Sequence, residues 1–148
     1  MKVINRKLSR EYEILETVEA GIILSGPEAK STFLKQINLD AAYVRLKDGE
    51  AFLINADIQK YKFAKQDEYE PKRVRKLLLH KKEILKLQVK TASKGFSIVP
   101  VSCFNQGPYI KFEIALVRGR KDLEKKIIQK KHEIVRNEKR DMKEYLKR

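Results

Sequence analysis

Cysteine is all but missing: Cys103 is the one thiol in 148 residues. A single thiol excludes a disulfide framework within a monomer, and two distant histidines, His80 and His132, give no zinc-ligand spacing. Cys103 lies in the apolar run from Ile98 to Phe104 and reads as a small core residue. No stretch approaches the ~18 uninterrupted apolar residues of a membrane span. The first residues also lack the apolar core of a signal peptide. These absences point to a cytoplasmic protein without a membrane partner. No nucleophile, carboxylate pair or metal constellation stands out, so a binding protein is expected, not an enzyme, with no cofactor. Proline and glycine are few, four and six, and most of them mark a turn, a bend or a helix start.

Positive charge is what the chain has in abundance. Lys and Arg number 34 against 20 Asp and Glu, a net of +14. An excess of that size implies a polyanionic partner, RNA or DNA before an anionic membrane surface. The charge is unevenly spread. Residues 118–148 hold 13 basic and 6 acidic side chains, so a fifth of the chain carries half of the net charge. The remaining 117 or so residues suffice for one hydrophobic core and not for two. The expected organisation is a domain over 1–117 and a basic C-terminal tail over 118–148.

Within the domain, Tyr12 to Leu24 reads as a strand region, with Gly21 marking a bend or bulge. Ser25-Gly26-Pro27 ends it, and a short helix from Glu28 to Lys35 should follow. The second half of 37–46 reads as strand. Asp48-Gly49, between two apolar runs, is a strong hairpin signal. Residues 60–70 read as loop. Phe96 to Phe104 and Tyr109 to Val117 should pair as a hairpin across Asn105-Gln106-Gly107-Pro108. The implied fold is mainly β: a small antiparallel barrel of the oligonucleotide-binding (OB) type with two or three peripheral helices. Closure removes sheet edges in small all-β domains, and such barrels bind nucleic acid through basic grooves and aromatic platforms.

The segment Pro71-Lys72-Arg73-Val74-Arg75-Lys76-Leu77-Leu78-Leu79-His80 interleaves four cations with four aliphatics. Proline suits a first helical turn, and a helix to about Leu87 would bring Val74, Leu77, Leu78, Ile84 and Leu85 onto one buried face. Arg73, Arg75, Lys76 and His80 would then point to solvent or to a partner's phosphates. On the last strand, alternation puts Lys111 on the outer face. Glu19 reads either as a solvated edge residue or as an acceptor for a base edge or a neighbouring arginine; on a surface facing RNA it would serve base reading better than affinity.

These residues carry a resemblance. Asn5-Arg6-Lys7, Glu19-Ala20-Gly21-Ile22, Lys30-Ser31, Asp48-Gly49-Glu50, Asn55, Ile58, Tyr61, Pro71 to His80, Glu83-Ile84 and Gly119-Arg120-Lys121 occur in an order and spacing that resemble the SmpB, or SsrA-binding, family of bacterial trans-translation. The resemblance implies an OB-type barrel. It implies two partners, the tRNA-like domain of transfer-messenger RNA (tmRNA) and the ribosome, with its small-subunit rRNA and messenger channel. It also implies an adaptor role, delivery of that RNA to stalled ribosomes for rescue and peptide tagging, by a monomer without catalysis. By position, Glu19, Leu78, His80 and Lys111 match RNA-binding positions, and Asn5-Arg6-Lys7 the basic N-terminal motif. Gly119-Arg120-Lys121 and Glu124-Lys125-Lys126 match the start of the tail, associated with the decoding region. Arg10, Phe33, Asp57 and Leu123 depart from the family pattern.

The tail shows helical periodicity. Ile127, Ile128, Ile134, Val135, Met142, Tyr145 and Leu146 fall with Leu123 in an arc of about 140°, interrupted by Lys131 and Glu138. Such a helix is marginal alone in water and is expected to form on a polyanionic track. Lys125, Lys126, Lys130, Arg140 and Lys143 would then meet phosphates, with Tyr145 and Leu146 at apolar or stacking surfaces. A structural, rRNA-binding ribosomal protein is the alternative reading, and an RNA-processing enzyme a more distant one.

Overall fold

Residues 1–65, 68–120, 130–137, 139–140 and 142–143 are described by a computed structural model. Their elements are β1 (Lys2–Ile4), α1 (Leu8–Glu11), β2 (Tyr12–Ile22), α2 (Gly26–Phe33), β3 (Ile37–Asn38), β4 (Tyr43–Lys47), β5 (Glu50–Ile54), β6 (Asp57–Ile58), β7 (Arg75–Leu78), α3 (Lys81–Thr91), β8 (Phe96–Gln106) and β9 (Tyr109–Gly119). Turn chemistry sets the main registers. Asp48 and Gly49 have φ of 53° and 74°, both left-handed, as a two-residue type I′ turn requires. Lys47 therefore pairs with Glu50, and Tyr43 with Ile54. Gly107, at φ 59°, opens the second hairpin, with Gln106 opposite Tyr109.

The large sheet runs β1-β8-β4-β5-β7-β2-β9, and β9 pairs back onto β8 to close a ring. Two well-paired halves result. In one, β9 lies between β2 and β8, paired along nearly its whole length. In the other, β5 lies between β4 and β7. The joins are short: Val44 faces Ile98 where β4 meets β8, and Gly21 and Ile22 face Leu78 and Leu77 where β2 meets β7. The far end of β8 takes β1 as neighbour instead of β4. This is a mainly β, OB-like barrel with few helices, as expected. Leu53, Leu77, Phe112 and Ile114 fill it. Cys103 is wholly buried there, and burial pushes its thiol up to about 12. A second, smaller cluster forms where Leu8 of α1 covers Val99, Ala115 and Val117.

Three local expectations are corrected. The helix after Pro27 begins two residues early, because Ser25 caps it: its Oγ accepts the Glu28 N–H at 3.3 Å, while Glu28 Oε1 accepts the Ser25 N–H at 3.0 Å. Gly21 is not bulged. The irregularity in β2 lies between Ile14 and Glu16, and Gly21 stays in the ladder opposite Lys111 and Leu78, where glycine allows a close approach: a Cβ there would lie 3.3 Å from Leu78 Cβ. The helix expected from Pro71 is instead strand β7 followed by α3. Along β7, Arg75 and Leu77 are buried, Lys76 is half-buried and Leu78 exposed, a period of two. Of the expected apolar face, Leu77 and Ile84 are buried, whereas Val74, Leu78 and Leu85 are exposed.

Candidate nucleic-acid interface

Strand β2 presents Glu19 and Gly21 on the outer face of the barrel, because Ala20 takes the inward position. Strand β9 brings Lys111 opposite Gly21, between buried Ile110 and Phe112. Strand β7 adds Lys76 and Leu78, and the start of α3 adds His80 and Lys81. These side chains line one groove of about 760 Å³, floored by Gly21 and rimmed by Gly49 and Glu50 of the first hairpin.

The groove mixes charge with an apolar step. Lys111 Nζ lies 3.1 Å from Glu19 Oε1, and Lys76 Nζ 3.0 Å from Glu50 Oε1. All four groups are partly open to solvent. Such pairs contribute ~0–1 kcal/mol, so an incoming phosphate can draw either lysine away from its carboxylate at little cost. Leu78, 51% exposed, adds an apolar side chain to the same groove. His80 is exposed at the N-cap of α3, where its N–H donates to Glu83 Oε1 at 3.2 Å. Beyond Leu78 and Lys111 the groove continues into a smaller, more apolar annex of about 360 Å³ beside Tyr109.

Not every expected contact residue belongs here. Arg75 is fully buried, contrary to the outward orientation expected of it. Its Nε donates to Glu28 Oε2 at 2.6 Å, and its two Nη atoms donate to the carbonyls of Ala56 and Pro71 at 2.8 and 2.9 Å. Arg73, half-exposed, shares the same carboxylate at 2.5 Å. Burial pushes the Glu28 carboxyl up, but hydrogen bonds from Arg73, the Ser25 backbone and Arg75 outweigh it and hold it at about 2. Asn5 is buried too: Nδ2 donates to the Pro100 carbonyl at 2.9 Å, and Oδ1 accepts the Lys7 N–H at 3.3 Å. Arg6 and Lys7 are exposed, but they line two other clefts.

Strand β9 carries through the expected boundary at 117. Gly119 faces Tyr12, and Arg120 Nε donates to the carbonyls of Ser9 and Tyr12, each at 3.1 Å. Further on, residues 130–137 are helical, with Lys130, Arg140 and Lys143 exposed and Ile134, Val135 and Met142 exposed as well. Lys121, Glu124, Lys125, Lys126, Tyr145 and Leu146 lie outside the described residues. Among the described residues no group of three or more His, Cys, Asp or Glu could hold a metal ion, and no helix is long and apolar enough to cross a membrane. Glu50 and Lys81 are groove residues to which the sequence assigned no site role. The Asp48-Gly49-Glu50 motif was the available signal for the first.

A small antiparallel barrel with a groove of alternating cations, carboxylates and an exposed leucine defines an OB-like nucleic-acid-binding module. Comparison with known proteins gives the family. The family model described as SmpB protein matches residues 2–144. An SsrA-binding protein of Mesoplasma florum is 45% identical over 95% of this chain and 95% of its own length. One of Pseudothermotoga lettingae is 44% identical over 97% and 94%. A chain solved in the structure described as "tmRNA-SmpB: a journey to the center of the bacterial ribosome" is 40% identical, with a TM-score of 0.69 over 82% of this chain and 85% of that one. The chain belongs to the SmpB family.

Proposed function

We propose that this protein is an RNA-binding adaptor of ribosome rescue. Its groove takes the tRNA-like domain of tmRNA, and its tail follows the empty messenger channel of a stalled ribosome in the bacterial cytoplasm. The observation that carries the reading is the convergence of Glu19, Leu78, His80 and Lys111, from three strands and a helix cap, in one groove. Lysines supply salt-sensitive attraction to phosphate, and Leu78 and Glu19 supply the contacts that tell one surface from another. The adaptor binds and positions without catalysis, so RNA incubated with the purified protein and magnesium should show no new ends. Sequencing the RNA that co-purifies with the protein is the deciding test. A single structured RNA with a tRNA-like end is expected. Recovery of rRNA alone, in constant ratio to ribosomal subunits, would replace this reading with that of a structural ribosomal protein.

A further inference from the structure

The loop after β6 carries a feature that the groove does not use. Residues 59–65 read Gln-Lys-Tyr-Lys-Phe-Ala-Lys, without an acidic side chain. The loop is firmly rooted: the Ile58 N–H donates to the Pro71 carbonyl and the Gln59 N–H to the Gln36 carbonyl, each at 3.0 Å. A turn closed by the Ala64 N–H on the Tyr61 carbonyl, at 3.0 Å, brings Tyr61 and Phe63 together. Their rings meet edge to face, with centroids 5.6 Å apart at 68°. Lys30 Nζ, from α2, sits 5.4 Å from the Tyr61 centroid, and Lys62 Nζ 5.7 Å from that of Phe63. Phe63 is 73% exposed and belongs to neither apolar cluster. Turns ordinarily favour Gly, Pro, Asn, Asp or Ser, and burial gives this phenylalanine little reason to be here.

We propose that Tyr61, Phe63, Lys30 and Lys62 form a second RNA-contact site, which stacks one unpaired nucleobase on Phe63. The inference rests on the RNA-binding reading above. The alternation of lysine and aromatic matches the ligand, because in a single strand each base is flanked by phosphates. One exposed ring of this size suits a base better than an apolar protein patch. Stacking of this kind tolerates any base, since every base has a π-face. None of these four residues lines the groove, so the two sites can be separated by mutation.

The full-length protein is titrated into a fluorescein-labelled uridylate 12-mer and, separately, into a labelled blunt RNA duplex of equal charge. Phe63→Ala should weaken binding of the 12-mer about tenfold, leave duplex binding unchanged and leave the melting temperature unaltered. The chain has no tryptophan, so Phe63→Trp installs a single reporter whose emission should be quenched by the 12-mer. Lys76→Ala should weaken duplex binding and preserve that quenching. An unchanged 12-mer affinity in Phe63→Ala, with no quenching in Phe63→Trp, overturns the site while duplex binding keeps the groove reading intact. Failure of the wild-type protein to bind either RNA removes both. A blue shift of the Phe63→Trp emission on phosphatidylglycerol vesicles, with no response to RNA, overturns it in favour of a membrane surface.

Discussion

Arg75 and Lys76 are neighbours with opposite fates. Arg75 is sealed against Glu28 and two carbonyls, while Lys76 reaches into the groove. Removing Arg75 would leave Glu28 to Arg73 and the Ser25 N–H alone, take the donors from the buried Ala56 and Pro71 carbonyls, and open a void, at a cost of up to about 3–5 kcal/mol. Arg75→Ala should therefore lower the urea midpoint sharply and lose RNA binding only as it loses its fold. Lys76→Ala should melt like the wild type. Its plot of log affinity against log salt should become shallower by ~0.9 for each phosphate contact removed. Glu28 adds an acid signature. Its folded value of about 2 lies below the ordinary 4.5, so the stability it contributes is fully present above about pH 4.5 and is lost as pH falls toward 2. Urea unfolding followed from pH 6 to pH 2.5 should show that decline, and a flat profile would count against the paired carboxylate. The inward turn of Arg75 was hidden in the sequence because its partner stands 47 residues away. An arginine at an inward strand position also erases the alternation that marks a strand.

At the scale of elements, what was legible was what local chemistry decides. Asp48-Gly49 forces left-handed φ at two successive positions and so announces its hairpin. The pairing of β8 with β9 followed from two apolar runs and the turn between them. The region from 71 to 80 was misread because adjacent Leu77 and Leu78 satisfy a helical face as well as a strand, and the sheet decides between them by pairing β7 with β5 and β2. Proline at 71 marked a turn before the strand. Glu19, Leu78, His80 and Lys111 were candidates by resemblance alone, and their meeting in one groove depends on ladder registers that no local pattern encodes. Helix α2 is the element most open to a simple test. Ser25→Ala removes the acceptor for the Glu28 N–H and should cost ~1 kcal/mol. It should also loosen Glu28, so the loss by thermal melting should exceed that of an isolated cap.

At the scale of the whole molecule, we propose that the barrel and the strongly charged sequence after Arg120 separate cleanly. Arg120 is tied to the carbonyls of Ser9, Glu11 and Tyr12, so a chain ending at Arg120 should keep its melting temperature and bind tmRNA while failing to support tagging on stalled ribosomes. Ile134→Pro, which opposes helix formation by ~3 kcal/mol, should likewise spare RNA binding and abolish tagging. Normal tagging by that variant would exclude a continuous functional helix. The barrel itself is two half-shells joined along short seams, Val44 with Ile98 on one side and Gly21-Ile22 with Leu77-Leu78 on the other. A shell built this way should give way first along its seams, like a clam at its edge, and the groove lies across the second seam, with Glu19 and Lys111 on one valve and Lys76 and Leu78 on the other. Ligand bound across that line acts as a clasp, because it favours the closed form by mass action. Native-state amide exchange should find the seam amides among the faster of the barrel strands in the free protein and slowed by RNA, with those between β2 and β9 little changed.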